Sequence, residues 1–256
     1  HEALAVLAAR RDQPKSKGEL ILAFNPADSA TAPAIIDTWL LGYDAAKHVI
    51  VDPNGRPLPV QVVFNPWAAD KESKTVSWAP AWPDGNPTHV LVAAPVPPGG
   101  LAALRMKEGK APKAKSLGRQ SATTIENEYL RVSFKRGTLD IYDKVTRRTY
   151  SGLNVIEDEA DRGDAWDFSE PWLKNPVLRS SDFSAVCRLA ESGPVRTTLE
   201  ITTTMRVPKR LNGERRLVEK VDLVLVAKVS LSRGARRADV SLTFDNQACD
   251  HRLRVK

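Results

Sequence analysis

The chain is poor in the residues from which metal centres and covalent frameworks are built: its 256 residues include Cys 2 and His 4. Cys187 and Cys249 are too few for a disulfide framework or a thiolate metal site and lack C-x-x-C spacing, so buried, reduced thiols are expected. His1, His48, His89 and His251 stand far apart, with neither H-x-x-x-H nor H-x-E spacing, and no metal is assigned to them. There is no G-x-S-x-G elbow, and neither thiol has a histidine close by in sequence, so nucleophilic catalysis has no motif to rest on. No run approaches the ~20 apolar residues of a membrane span. The first residues lack the basic and apolar segments of a signal peptide, which proves little where the ends look cut; a cytoplasmic location of the bacterial type is expected. The chain opens on His1 rather than Met and closes on Arg254-Val255-Lys256 directly after a strand-like run, so both ends read as cut. Neither an internal repeat nor a low-complexity tract is visible.

Positive charge is in excess, with Lys+Arg 38 against Asp+Glu 31 and a formal net charge of +7. A polyanion would suit that balance, but the basic residues are scattered. Their short clusters, at 107–115 and 206–220, do not interleave with aromatics as single-strand binders require. Solvated surface is the expectation, with no nucleic-acid or membrane partner.

What the chain does contain is short apolar runs divided by turn residues. Residues 2–11, EALAVLAARR, place Leu4, Leu7 and Ala8 on one helical face until Pro14, which predicts a short helix or the tail of a longer one. From Glu19 the runs ELILAFN, AIIDTWLL, HVIV, LPVQVVFN and THVLVAA are separated by NPAD, DPNG, NPW and PDGNP. Strands at this spacing indicate a small β-sandwich over 19–106. The stretch 107–118, KEGKAPKAKSLG, has no apolar period and reads as a linker. A larger antiparallel sandwich follows over 119–256. It opens on a hairpin in which Leu130, Val132 and Phe134 alternate with Tyr129, Arg131 and Ser133 and turn at Arg136-Gly137. The runs VRTTLEITTTMRV and LVEKVDLVLVAKVSLS are longer than ordinary strands.

One stretch departs from the net charge. Residues 157–171, EDEADRGDAWDFSEP, hold seven carboxylates and two aromatic rings. Three chemistries fit that composition. Calcium takes six to eight oxygens, but here Gly163 precedes Asp164 and Asp167 instead of following alternating acids as in the calcium loop. A carboxylate pair could run glycoside hydrolysis, although nothing in the sequence fixes which two would pair. A loop presenting Asp164, Trp166 and Asp167 could hold a sugar, with the ring covering C–H patches and the acids accepting hydroxyl protons. Against these stands a plain loop that buries one aromatic and solvates its acids. In NQACDHRLRV, a strand would put Asp250 and Arg252 on one face and His251 on the other, which suits a side-chain network at a domain edge.

The segment IENEYLRVSFKRGTLDIYDKVTRRTYSGLNVIEDEADRGDAWDFSEP resembles the start of the C-terminal β-domain of glycoside hydrolase family 38, the α-mannosidases, particularly its mannosylglycerate-hydrolase-like branch. The matching elements are E-N-x-x-L-R-V, G-T-L, D-K-x-T, G-L-N-x-x-E-D and G-D-x-aromatic, and LTFDNQACDHRLRV is similar to the family's D-N-x-x-x-D-H-R-L-R-V. Upstream, ELILAFNPADSATAPAII and VDPNGRPLPVQVV resemble the smaller β-domain before it, and EALAVLAARRD the end of a helical bundle spanning 1–13.

The resemblance implies an all-β fragment: a small β-sandwich, then a galactose-mutarotase-like antiparallel supersandwich truncated at its C-terminus. It implies a non-catalytic role, with zinc and an aspartate nucleophile on a missing N-terminal domain. That domain and a mannose-containing carbohydrate would be its partners, and the fragment alone would be inactive. Asp164, Trp166 and Asp167 would approach substrate, while Asp250, His251 and Arg252 would support the sheet or the domain contact. The alternative is a stand-alone carbohydrate-binding or structural module. Two departures matter. Arg147 replaces the family's Gly after D-K-x-T, which argues against a positive-φ turn there, and Trp166 replaces a Tyr, losing a phenol hydroxyl.

Overall fold

The computed structural model describes residues 20–26, 33–64, 87–164 and 166–256. The helix expected over residues 2–11 lies outside them. Among the described residues the chain is built of antiparallel strands, and its one helical piece is the 3-10 turn Ser180–Asp182. It divides into two units, one of residues up to Ser116 with Gly193–Arg196, the other of Leu117–Ser192 with Thr197–Lys256.

In the first unit the strands are β1 Leu20–Phe24, β2 Ala34–Leu41, β3 His48–Val51, β4 Val60–Phe64, β5 Pro87–Ala94 and β6 Leu101–Glu108. They form two three-stranded sheets, β1-β6-β3 and β2-β5-β4. Alternation sends Ala23, Ile50, Ala102 and Leu104 of one sheet and Leu40, Val90, Val92 and Ala94 of the other into a shared core. This is the small sandwich that the turn spacing predicts.

The second unit begins with β7 Gln120–Ser121, β8 Thr124–Glu126, β9 Leu130–Lys135, β10 Thr138–Asp143 and β11 Arg148–Leu153, a five-stranded sheet. Next come β12 Ile156–Ala160, β13 Leu178–Arg179, β14 Ala185–Ser192, β15 Arg196–Pro208, β16 Leu211–Asn212 and β17 Arg215–Arg216. The last are β18 Lys220–Ser232, β19 Asp239–Phe244 and β20 His251–Val255. The 13-residue strands β15 and β18 sit at the centre of a four-stranded sheet, β14-β15-β18-β19. Their length lets one sheet cover two others. Leu199, Ile201, Ala227, Val229 and Leu231 pack on Ile125, Leu130, Val132 and Leu139 of the five-stranded sheet. Further along, Met205, Val207, Leu223 and Leu225 pack on Ile156 of the three-stranded sheet β13-β12-β20. The long strands therefore connect a plain sandwich core to the sheet that carries the acidic stretch.

Local chemistry explains the motifs along the way. Arg136 and Gly137 both take positive φ, 49° and 78°, the two-residue turn whose twist matches paired strands. Asn127 is buried and uses all its hydrogen-bonding capacity. Its Nδ2 donates to the carbonyls of Ser232 and Ala235 at 2.8 and 2.7 Å, and its Oδ1 accepts from the backbone N–H of Tyr129 and Leu130 at 2.9 and 2.8 Å.

Two expectations fail. Arg147 has φ 58°, so the β10–β11 turn is left-handed without a glycine. Asp143 Oδ1 accepts from the backbone N–H of Val145 and Thr146 at 2.8 and 3.2 Å and fixes the turn, leaving Arg147 to carry a strain of about 1–2 kcal/mol. Cys249 is exposed rather than buried, because it lies in the irregular 245–250 segment with its backbone N–H bonded to the Lys209 carbonyl. Cys187 is half-buried on β14, and loss of solvent pushes its thiol up to about 11.

Candidate functional site

The acidic stretch divides into a strand and a loop, and the two parts use their carboxylates differently. β12, with sequence IEDEA, pairs on one side with β20 and on the other with β13. Alternation points Glu157 and Glu159 to one face and Asp158 to the other.

On the first face each glutamate meets arginines placed opposite it by the register, Glu157 with Arg254 and Arg179, and Glu159 with Arg252. Arg252 Nε and Nη2 donate to Glu159 Oε1 at 2.9 and 2.8 Å, and Arg179 Nε donates to Glu157 Oε1 at 3.0 Å. Lys256 Nζ stands 3.7 Å from Glu157 Oε2. The bond from Arg179 leads in holding the Glu157 carboxyl below its ordinary value; desolvation opposes it, and the charges of Lys256, Arg179 and Arg254 add to it.

A carboxyl with a lowered folded-state pKa stabilises the fold above its unfolded value. That contribution disappears as pH falls from about 4.5 through the folded value. Glu157→Gln should therefore reduce the unfolding temperature at pH 7, and its gap from the parent should narrow as pH falls below about 4.5. A gap that stays constant from pH 7 into the acid range would contradict this.

On the opposite face Asp158 is fully buried. Arg216 Nη2 donates to its Oδ2 at 2.5 Å, and His251 Nδ1 lies 2.6 Å from its Oδ1. The other ring nitrogen, Nε2, is 3.0 Å from Asn246 Oδ1, which also accepts from the Ala248 N–H at 3.1 Å. The side chains of Asp158, His251 and Arg216 are 0%, 3% and 4% exposed. With both Asp158 oxygens engaged, this cluster joins β12, β17 and β20.

The loop after β12 folds on its own acids. Asp161 Oδ1 accepts from the N–H of Gly163 and Ser169 at 2.8 and 3.0 Å, and the Arg162 N–H reaches the Ser169 carbonyl at 2.9 Å. Asp164 Oδ1 accepts from the N–H of Trp166 and Asp167 at 2.8 and 3.0 Å. The turn is tight enough to require glycine at 163, where a Cβ would fall 1.8 Å from the Asp167 carbonyl oxygen. Phe168 lies beneath the Arg252 guanidinium, 3.3 Å from carbon to ring centroid.

With Phe168 pinned, the loop exposes two large rings, Trp166 at 94% and Trp172 at 82%. Asp167 is exposed beside Trp166. Such an arrangement offers flat apolar faces rimmed by carboxylate and Arg162, suited to a polyhydroxylated ligand.

Asp164, Trp166 and Asp167 thus share one loop, with Asp164 also serving as an internal brace. Asp250, His251 and Arg252 act in three separate places. Asp250 precedes β20 with φ 52°, and its Oδ2 accepts from the Leu211 N–H at 3.1 Å. It is not a strand residue sharing a face with Arg252. His251 does point away from Arg252, into the Asp158 cluster. Trp172, Arg162, Arg216 and Glu214 were not singled out from the sequence. Trp172 could have been, as the aromatic directly after the acidic stretch, but the remaining three carry no local signal.

The sequence profile of the glycosyl hydrolases family 38 C-terminal domain matches residues 125–255, which contain all of these residues. A protein of Halalkalibacterium halodurans named "Putative mannosylglycerate hydrolase" is 32% identical over 175 residues, 61% of this chain and 19% of that protein. An alpha-mannosidase from Enterococcus faecalis V583 superposes with a TM-score of 0.77 at 19% identity, over 99% of this chain and 33% of that one. A second solved Enterococcus faecalis structure, a protein of glycosyl hydrolase family 38, gives 0.76 at 19% identity over 99% and 34%. At that identity the two structures establish the fold. The chain spans about a fifth of the curated relative and about a third of each solved structure.

Proposed function

Because the chain belongs to the glycosyl hydrolase family 38 C-terminal domain family, we propose that it is the non-catalytic β region of an α-mannosidase-like glycoside hydrolase. It supports an N-terminal catalytic domain and completes that domain's pocket for a mannose-containing carbohydrate. The observation that carries this reading is the exposed pair Trp166 and Trp172 on a loop whose other parts are bonded in place. A folded chain does not normally leave two indoles in water on a braced loop unless they meet something. The names of the relatives, a mannosylglycerate hydrolase and an alpha-mannosidase, suggest a mannoside.

The family resemblance implies a zinc ion, and the described residues offer it no donor set. Among the described residues no group of three or more His, Cys, Asp or Glu converges, and Asp158 and His251 are committed to each other, Arg216 and Asn246. We place the metal and the nucleophile on the catalytic domain, where bond cleavage would occur. This chain's contribution is binding: Trp166 covers a sugar face, Asp167 accepts a hydroxyl proton, and the braced loop excludes water from that side.

In the complete enzyme, Trp166→Ala should raise KM for p-nitrophenyl α-D-mannopyranoside about tenfold, equivalent to about 1.4 kcal/mol. An unchanged KM and kcat would show that the loop does not face the substrate.

A further inference from the structure

We propose that Glu214, on the β16–β17 hairpin, is the positioning residue of the aromatic loop and orients Trp172 toward the ligand. The proposal rests on the reading that this loop faces a sugar. Gly213, with φ 59°, turns the hairpin and leaves Glu214 at its tip. Each oxygen of the Glu214 carboxylate holds a different limb of the loop: Arg162 Nη1 donates to Oε1 at 3.0 Å, and the Trp172 backbone N–H donates to Oε2 at 2.7 Å. The Arg162 guanidinium then lies over the Trp172 ring, 4.7 Å from its centroid. One ring face is thereby covered and the ring's direction set, while the indole stays 82% exposed.

The hairpin itself is anchored. Asn175 Nδ2 donates to the Glu214 carbonyl at 2.9 Å, and Asn175 Oδ1 accepts from the Arg216 N–H at 3.0 Å. Arg216 is in turn fixed to buried Asp158. A chain of bonds runs from the core through the hairpin to Glu214 and out to Trp172. An isolated surface ion pair would contribute little, but this carboxylate also takes a backbone N–H and is only 26% exposed. Its effect is on where the indole points, because the sheets beneath are held by other contacts.

The test uses the complete enzyme with p-nitrophenyl α-D-mannopyranoside and compares Glu214→Ala, Glu214→Gln and Trp166→Ala. Glu214→Ala should raise KM about fivefold to tenfold with kcat within about twofold. Glu214→Gln keeps an acceptor for the Trp172 N–H but loses the charge opposite Arg162, so it should fall between parent and alanine. If the alanine variant does not fold, a raised KM in the isosteric glutamine variant with an unchanged unfolding temperature supports the proposal. Parent-like KM in both Glu214 variants beside a raised KM in Trp166→Ala overturns the positioning role and leaves the sugar-facing loop standing. Parent-like KM in all three overturns both. Equal losses of kcat and unfolding temperature in both Glu214 variants, without a change in KM, assign Glu214 a merely structural role and overturn the proposal.

Discussion

Asp158→Ala should cost about 3–5 kcal/mol of unfolding free energy, the largest single-residue loss expected at the site. Asp158 has no exposure, and its removal strands Arg216 and His251, which are themselves nearly without contact with water. The penalty comes from those two orphaned donors more than from the lost attraction, since a buried pair as a whole adds little net stability. Exchanging Asp158 and Arg216 together for apolar residues should therefore cost less than the single change. Urea unfolding of the parent, the single variant and the double variant measures this. A single-variant loss below about 1 kcal/mol would mean that water reaches the cluster and that it does not anchor β12 to β17 and β20.

The fold was legible wherever a strand has one wet face. The hairpin around Arg136-Gly137 and the long runs that became β15 and β18 follow from period-two alternation, because the core accepts every second residue. What alternation does not encode is the side-chain bond that overrides a local preference. Arg147 is left-handed because Asp143 caps the turn before it, so the missing glycine was a poor guide. Asp250 departs from the strand pattern because its side chain serves Leu211, distant in sequence.

The candidate site was legible in composition but not in roles. Asp164 and Trp166 stood out as an acid and a ring on a glycine-containing loop. The geometry shows that the acid spends one oxygen on its own turn, while Trp166 faces water. Five of the seven carboxylates in the acidic stretch fall into two uses. Glu157, Asp158 and Glu159 answer the arginines of β13, β17 and β20, and Asp161 and Asp164 close a loop. Glu214 could not have been read from LNGERR, since its partners Arg162 and Trp172 are reached only across the folded sheet.

The central claim is that this β region completes a pocket whose chemistry lies on another domain. The most direct measurement is turnover of p-nitrophenyl α-D-mannopyranoside by the separately produced catalytic domain of the same protein, alone and after mixing with this chain. A sugar held on one wall only is misplaced relative to the reacting groups, and such misplacement costs on the order of a hundredfold in rate. The catalytic domain alone should accordingly fall short of the complete enzyme by at least about that factor, this chain alone should show no turnover, and the mixture should recover most of the activity. A catalytic domain that turns over at the full rate without this chain would contradict the account.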